Sequence, residues 1–206
     1  TKMKILMVNG SPRKGETRAA LEEMGKVFAE AGAEYEIVDL GASPVNDCIA
    51  CRKCAELKKC VMDDVVNELI EKAKTADGFV FGTPVYYAHP TARVLAVLDR
   101  AFYAGKYAFM FKPAAAITSL RRAGSCASMD VMNKYFTISC MPIVSSQYWN
   151  SVHGNTPEEV RQDKEGLQIM RTLGDNMAWL LKCIEAAKGT VPYPVREPWT
   201  PTNFIR

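Results

Sequence analysis

Long apolar runs are missing from this chain: none reaches the roughly 18 residues that a membrane-spanning helix needs. Charge of one sign is missing too. Of the 206 residues 24% are charged, acidic and basic side chains are interspersed, and the net charge is +3. No stretch is therefore basic enough to hold nucleic acid or an anionic membrane. There are no repeats and no low-complexity segment. Neither GxxxxGK[ST] nor GxGxxG occurs, which argues against a P-loop nucleotide hydrolase and against a classical dinucleotide-binding fold. No Ser-His-Asp set or carboxylate pair offers itself for hydrolysis. The opening Thr1-Lys2-Met3-Lys4 leads straight into a strand-like segment with no signal-peptide pattern. The expectation is a cytoplasmic protein that binds neither membrane nor nucleic acid.

What is present is an ordinary globular composition, 48% hydrophobic, in a length that suits one core and is short for two. Lys4 to Asn9 is a continuous apolar run that stops at Gly10-Ser11-Pro12, the pattern of a parallel strand buried on both faces. Leu21, Met24, Phe28 and Ala31 then recur at helical spacing from Thr17, and Gly32 ends the helix. Strand-like and helical segments go on alternating. Strands are expected at Tyr35 to Leu40, Gly78 to Gly82, Ala114 to Thr118 and Pro142 to Ser145. Helices are expected after Asp63-Asp64, over Thr91 to Tyr103, over Cys126 to Ile138, and from the Thr156-Pro157-Glu158-Glu159 cap to about Lys188. The last helix is expected to be irregular at Gly166 and Gly174. This alternation with short connections predicts an α/β fold, one parallel sheet with helices on both faces, in a single domain over 1–206. Residues 41–62 form a cysteine-rich insertion, and the Pro-rich residues 189–206 an extended tail of the kind that can cross a neighbouring subunit.

The loop after the first strand, Gly10-Ser11-Pro12-Arg13-Lys14-Gly15-Glu16-Thr17-Arg18, carries the first chemical signal. In an open α/β sheet ligands bind beyond the carboxyl ends of the strands, where helix N-terminal amides accept a phosphate. Ser11 and Thr17 add hydroxyl donors, and Arg13 and Arg18 charge-assisted ones. Taken alone the loop also reads as a plain βα turn.

With two further segments the sequence resembles the NADPH-dependent FMN reductase and iron-sulfur flavoprotein family of flavodoxin-like proteins. The segments are GSPRKGET, Gly82-Thr83-Pro84-Val85-Tyr86-Tyr87 followed by Leu98-Asp99-Arg100, and Ser119-Leu120-Arg121-Arg122-Ala123-Gly124-Ser125. The resemblance implies a flavodoxin-like three-layer sandwich with a five-stranded parallel sheet of order 2-1-3-4-5. It implies that Ser11, Arg13, Thr17 and Arg18 hold the phosphate of FMN, that Pro84, Val85, Tyr86 and Tyr87 lie along the flavin ring, and that Ser119, Arg121 and Gly124 cover its pyrimidine edge. Glu16 stands where relatives commonly have an amide side chain, and a carboxylate there must point away from a phosphate. The activity implied is an FMN-dependent NAD(P)H oxidoreductase that passes reducing equivalents to a small-molecule or protein acceptor, in a homo-oligomer. No acid or base side chain is required for the first transfer, and no catalytic residue is assigned.

Seven cysteines are many for such a chain, and Cys48, Cys51, Cys54 and Cys60 crowd into thirteen residues. Thiolates at this spacing can surround one [4Fe-4S] cube. They also suit tetrahedral zinc, or carry no metal and stay inert or redox-active. The resemblance implies the first, because iron-sulfur flavoproteins carry a similar compact motif between the second strand and the next helix. Two further functions are open beside the reductase: an electron carrier relaying single electrons through a cluster and FMN between protein partners, and a redox- or metal-sensing binding protein. His89, His153 and Trp149 read as loop, interface or packing residues, and Asp99-Arg100 as a structural ion pair or cap rather than chemistry.

Overall fold

The structure, a computed structural model, describes residues 2–202 and Phe204. The first strand, β1 (Lys4–Asn9), leads into α1 (Glu16–Glu30) and returns as β2 (Glu34–Asp39). The cysteine-rich segment follows with one short helix, α2 (Cys54–Leu57), and then α3 (Val65–Thr75). β3 (Gly78–Tyr86) turns into the two-residue β4 (His89–Pro90), and α4 (Ala92–Gly105) comes next. β5 (Ala114–Leu120), α5 (Ser125–Ile138), β6 (Ser151–His153), α6 (Pro157–Val160) and α7 (Lys164–Ala187) complete the order. Five strands pair in parallel in the order β2-β1-β3-β5-β6. This is the expected 2-1-3-4-5 order, counting parallel strands only. β4 adds a sixth, antiparallel piece to β3.

Because alternate residues of a strand face opposite sides, each central strand serves two cores. Leu6, Val8, Phe79, Phe81, Ala114 and Ala116 pack under α3, α4 and α5. Ile5, Met7, Val80, Ala115 and Ile117 pack under α1 and α7. Glycine marks one tight contact between the two helices of the second layer, since a Cβ on Gly174 would lie 3.1 Å from Val27.

Two expectations fail in instructive ways. The fifth parallel strand is not Pro142 to Ser145 but Ser151–His153. The chain touches β5 first, with the Ala114 N–H donating to the Pro142 carbonyl and the Val144 N–H to the Ala114 carbonyl, both at 2.9 Å. It then bulges outward through 145–149 and rejoins at Asn150, whose carbonyl accepts from the Thr118 N–H at 2.9 Å. Across the gap the buried Asn150 side chain stands in for the missing strand, its amide donating to the Ala116 carbonyl at 3.1 Å. The last helix is likewise two helices. Thr156 caps α6, accepting from the Glu159 N–H at 3.2 Å, and Asp163 caps α7, accepting from the Gly166 N–H at 2.9 Å. The interruption therefore falls at 161–163, and α7 runs unbroken through Gly174.

The C-terminal segment has no helix or strand over 192–202. It packs on its own chain at the amino end of the sheet, with the Tyr193 ring 5.2 Å from that of Phe111 and the Arg196 guanidinium over the same ring. A cavity of about 560 Å³ lies there, lined by Met3, Asp77, Pro113 and Tyr193 among others. It sits at the end of the strands opposite the loops singled out from the sequence. No helix among the described residues is long and apolar enough to cross a membrane.

Replacing Asn150 by Ala orphans the Ala116 carbonyl, and an unsatisfied buried group costs about 1–3 kcal/mol. Urea unfolding of N150A is expected to show that loss, whereas Y148A, on the exposed crest of the same bulge, stays within about 0.5 kcal/mol of wild type. Equal effects would show that Asn150 does not bridge the strand.

Candidate functional site

The three singled-out loops meet at the carboxyl ends of β1, β3 and β5. The register pairs Asn9 with Gly82, Thr83 with Thr118, and Pro84 with Ser119. Gly10 N–H donates to the Gly82 carbonyl at 2.8 Å, and a Cβ on Gly10 would come within 2.7 Å of that oxygen. A Cβ on Gly82 would in turn meet Thr17 at 2.7 Å. Thr17 sits buried in the first turn of α1, and its hydroxyl lies 2.7 Å from that of Ser119. The first and third loops are therefore joined directly by two buried hydroxyls.

The first loop is organised by Asn9, which the sequence reading missed. Its side-chain carbonyl accepts from the Ser11 N–H at 3.1 Å, and its amide donates to the Arg13 carbonyl at 3.2 Å and to Asp39 at 2.9 Å. The Ser11 hydroxyl, itself buried, accepts from the Arg13 N–H at 3.3 Å. No side chain caps the start of α1, where Gly15 stands, so its first amides are left without a side-chain acceptor. Arg13 is largely exposed and its guanidinium folds back on Glu16 at 3.1 Å. The carboxylate at this position is thus neutralised within the loop itself. Arg18 turns the other way, to Asp39 and Glu22, and so braces α1 against β2 rather than entering the loop.

The second loop is a hairpin. Tyr87 and Ala88 both have positive φ, 52° and 59°, the conformation of a two-residue type I′ turn. Neither residue is glycine, so the turn stores strain of the sort found at functional sites. Tyr86 is half exposed and Tyr87 is fully exposed. The third loop packs on this hairpin: at Gly124 φ is +96°, and a Cβ would fall 2.5 Å from the Ala88 Cα. Arg121 is exposed on that loop. Beside these loops the Thr118 hydroxyl is buried without a hydrogen-bond partner.

Cys48, Cys51, Cys54 and Cys60 all line one small pocket of about 20 Å³, closed by Ile49, Val61, Arg100, Tyr103 and Ala104 among others. The loop that wraps it holds three non-glycine residues at positive φ, Ala50, Arg52 and Lys58. Burial pushes the Cys54 thiol up, and the charges of Cys51, Cys48 and Cys60 push it further. Among the described residues no three His, Cys, Asp or Glu side chains converge as the ligands of a single ion would.

Other candidates resolve into structure. Asp99 accepts from the Tyr135 hydroxyl, and Arg100 pairs with Asp64 at 2.7 Å, so the two neighbours do not pair with each other. His89 is exposed on β4. His153 lies 3.4 Å from Asp163.

Sheet order and loop positions define a flavodoxin-like α/β protein. Its fold matches a flavodoxin from the domain Archaea with a TM-score of 0.61 at 14% identity, over 87% of this chain and 99% of that one. An NADH:FMN oxidoreductase in its apo form matches with a TM-score of 0.61 at 16% identity, over 87% and 90%. The sequence goes further. Residues 3–156 match the family model of NADPH-dependent FMN reductase, and the chain belongs to that family of flavin-dependent oxidoreductases. It is 31% identical to an iron-sulfur flavoprotein of Methanocaldococcus jannaschii over 89% of this chain and 100% of that one. To an iron-sulfur flavoprotein of Methanosarcina thermophila it is 29% identical, over 89% and 97%.

Asp39 provides a pH test of the loop's bracing. Burial alone would raise its carboxyl, but the N–H groups of Asn9 and Arg18 and the charge of Lys14 hold it below its ordinary value. A depressed carboxyl stabilises the fold above its unfolded pKa of about 3.9 and loses that contribution as pH falls through the folded value. D39N is therefore expected to be less stable than wild type at neutral pH, with the gap closing below about pH 4 in urea unfolding. A gap that persists unchanged into acid would show that the ionised pair is not what braces the loop.

Proposed function

We propose that this chain is an FMN-dependent oxidoreductase with a second, iron-sulfur centre, taking reducing equivalents from NAD(P)H or a protein donor and passing them to a separate acceptor. The observation that carries the second centre is the common pocket onto which all four clustered cysteines open. Four thiols at the spacing of Cys48, Cys51, Cys54 and Cys60 are the donor set of a [4Fe-4S] cube, and the relatives named above are iron-sulfur flavoproteins.

The three loops fit FMN by their donor chemistry. Ser11 and Thr17 present buried hydroxyls beside the uncapped start of α1, a combination that favours a phosphate. Arg13 cancels the charge of Glu16 there and leaves the loop free of net repulsion. Arg18 acts at one remove, by fixing α1 through Asp39. Pro84, Val85, Tyr86 and Tyr87 offer an uncovered apolar and aromatic flank to a planar ring, and Ser119, Arg121 and Gly124 close the opposite edge. When bound, FMN supplies the hydride and one-electron chemistry, and the protein supplies orientation and electrostatics. Cys48, Cys51, Cys54 and Cys60 would ligate the cluster, whose chemistry is one-electron transfer.

Anaerobic purification, a visible absorption spectrum, and iron and acid-labile sulfide assays test this reading. A flavin spectrum with about four irons per chain is expected, as a [4Fe-4S] cube carries. Flavin without iron or sulfide would leave a simple NAD(P)H-dependent FMN reductase. No flavin, even after FMN is added, would overturn the reading. In the same protein S11A is expected to weaken FMN about tenfold, the worth of one hydrogen bond to a charged group, and to leave riboflavin affinity unchanged. Equal losses for both ligands would place Ser11 away from the phosphate.

A further inference from the structure

Arg100 lies on the inner face of α4 with only 1% of its surface exposed. A guanidinium has five N–H donors and no acceptor, and here all five are engaged. Nε donates to Cys60 Sγ at 3.2 Å. One terminal nitrogen donates to the Asn46 carbonyl at 3.1 Å and to Asp64 Oδ2 at 2.7 Å. The other donates to the Met62 carbonyl at 3.1 Å and to Asp64 Oδ1 at 2.9 Å. The two-pronged pairing with Asp64 offsets the desolvation of a buried cation. Asp64 is itself fixed, because it caps α3 by accepting from the Val66 N–H at 3.0 Å.

The placement of the four partner residues is informative. Asn46 precedes the first cysteine, Met62 follows the last, and Cys60 is the last, so one planar group on a rigid helix fastens both ends of the loop. A second clamp, Asn67, acts on the main chain of Cys60 and Met62, donating to the Met62 carbonyl at 3.2 Å, and makes no bond to a sulfur. Its carbonyl accepts from the Cys60 N–H at 2.8 Å, and its amide donates to the Cys60 carbonyl at 3.0 Å. Among the described residues no side chain donates to the sulfur of Cys48, Cys51 or Cys54. Cys60 is singled out. A salt bridge needed only for folding would be complete with Asp64 and would not require the sulfur.

We propose that Arg100 is a positioning residue of the cysteine pocket. It locks the ends of the 46–62 loop, and its N–H···S bond makes Cys60 the electronically distinct ligand and raises the reduction potential of the cluster held there. The second half rests on the iron-sulfur reading above. Hydrogen bonds to cluster sulfurs and nearby charge are established levers on potential, and a cationic donor favours the more negative, reduced state. Lysine cannot reproduce the fork, because its ammonium is a point charge with three donors.

The test compares R100K with N67A in the full chain. Hydrogen–deuterium exchange over 46–62 is measured on the metal-free protein, and iron content and midpoint potential after anaerobic reconstitution. Both variants are expected to raise exchange severalfold across the loop, and only R100K to shift the potential to more negative values. Unchanged exchange in R100K would overturn the positioning role. A potential equal to wild type, or an equal shift in N67A, would overturn the role of the N–H···S bond. Wild-type protein that takes up no iron would sink the iron-sulfur reading and the tuning with it, while exchange still decides the positioning role. If R100K does not fold, D64N carries the exchange test, since the arginine loses its ionic anchor, and R100Q the potential test, since it removes the cationic N–H···S donor. Raised exchange in the first and a more negative potential in the second are expected. A wild-type value in either overturns that half of the proposal.

Discussion

The site depends on how closely β1 and β3 approach at their carboxyl ends. The hydrogen bond from Gly10 to the Gly82 carbonyl is the last rung between them, and neither glycine has room for a Cβ. Without Gly82 the first turn of α1 could not bring Thr17 down to Ser119. Thr91 secures the same junction from the other side: its hydroxyl donates to the Gly10 carbonyl at 3.1 Å, and its N–H donates to the Thr83 hydroxyl at 3.1 Å. Three loops that are far apart in sequence are thereby held to one another by main-chain and hydroxyl contacts. A small change at this junction would reach every part of the cleft, because interiors packed this closely transmit displacement.

Much of this was legible in the sequence, and the legible part is local. The apolar run Lys4–Asn9, the helical period of α1, the extent of α4 and the Thr cap of α6 follow from short-range pattern and were placed within a few residues. That the sheet is parallel followed from alternation and short connections, and its order from the family resemblance. What escaped detection was non-local. Nothing in the sequence around Asn150 announces that a side chain will replace a stretch of strand. The local signal at Pro142 to Ser145 is a strand signal, and the chain does begin to pair there before it bulges. The break before α7 was sought at glycines, yet it comes from Asp163 capping a new helix, while Gly166 and Gly174 serve close packing instead.

The candidate site shows the same division. Ser11, Thr17, Pro84, Ser119 and Gly124 were found by loop chemistry and family resemblance, and the fold brings them together. Asn9 was passed over because it ends a strand and reads as part of the apolar run's boundary. Arg18 was assigned to the loop by proximity in sequence, but a helix turns successive side chains by about 100°, so its neighbour Thr17 faces inward and Arg18 meets β2. Asp99 and Arg100 look like a pair only when adjacency in sequence is mistaken for adjacency in space, since consecutive helical residues do not face each other.

The cysteine loop raises the question of what orders it. Its own side chains are mostly exposed, so hydrophobic burial contributes little. Three left-handed non-glycine residues add about 1–2 kcal/mol each against it. The ordering must come from polar clamps: Arg100 and Asn67 at Cys60, Arg93 on the Ala42 and Ser43 carbonyls, and Tyr107 on the Lys58 carbonyl. All four residues belong to α3, α4 or the turn that follows, whose other faces build the core under β1 and β3. An apolar residue of Arg100's volume would fill the same space, but it would leave the Asn46 carbonyl without a donor, the Met62 carbonyl with Asn67 alone, and Asp64 without a counter-charge. Exchanging a buried ion pair for hydrophobic packing succeeds where both partners are replaced together. Here one partner caps a helix and two others are main chain, so the arginine has no apolar substitute.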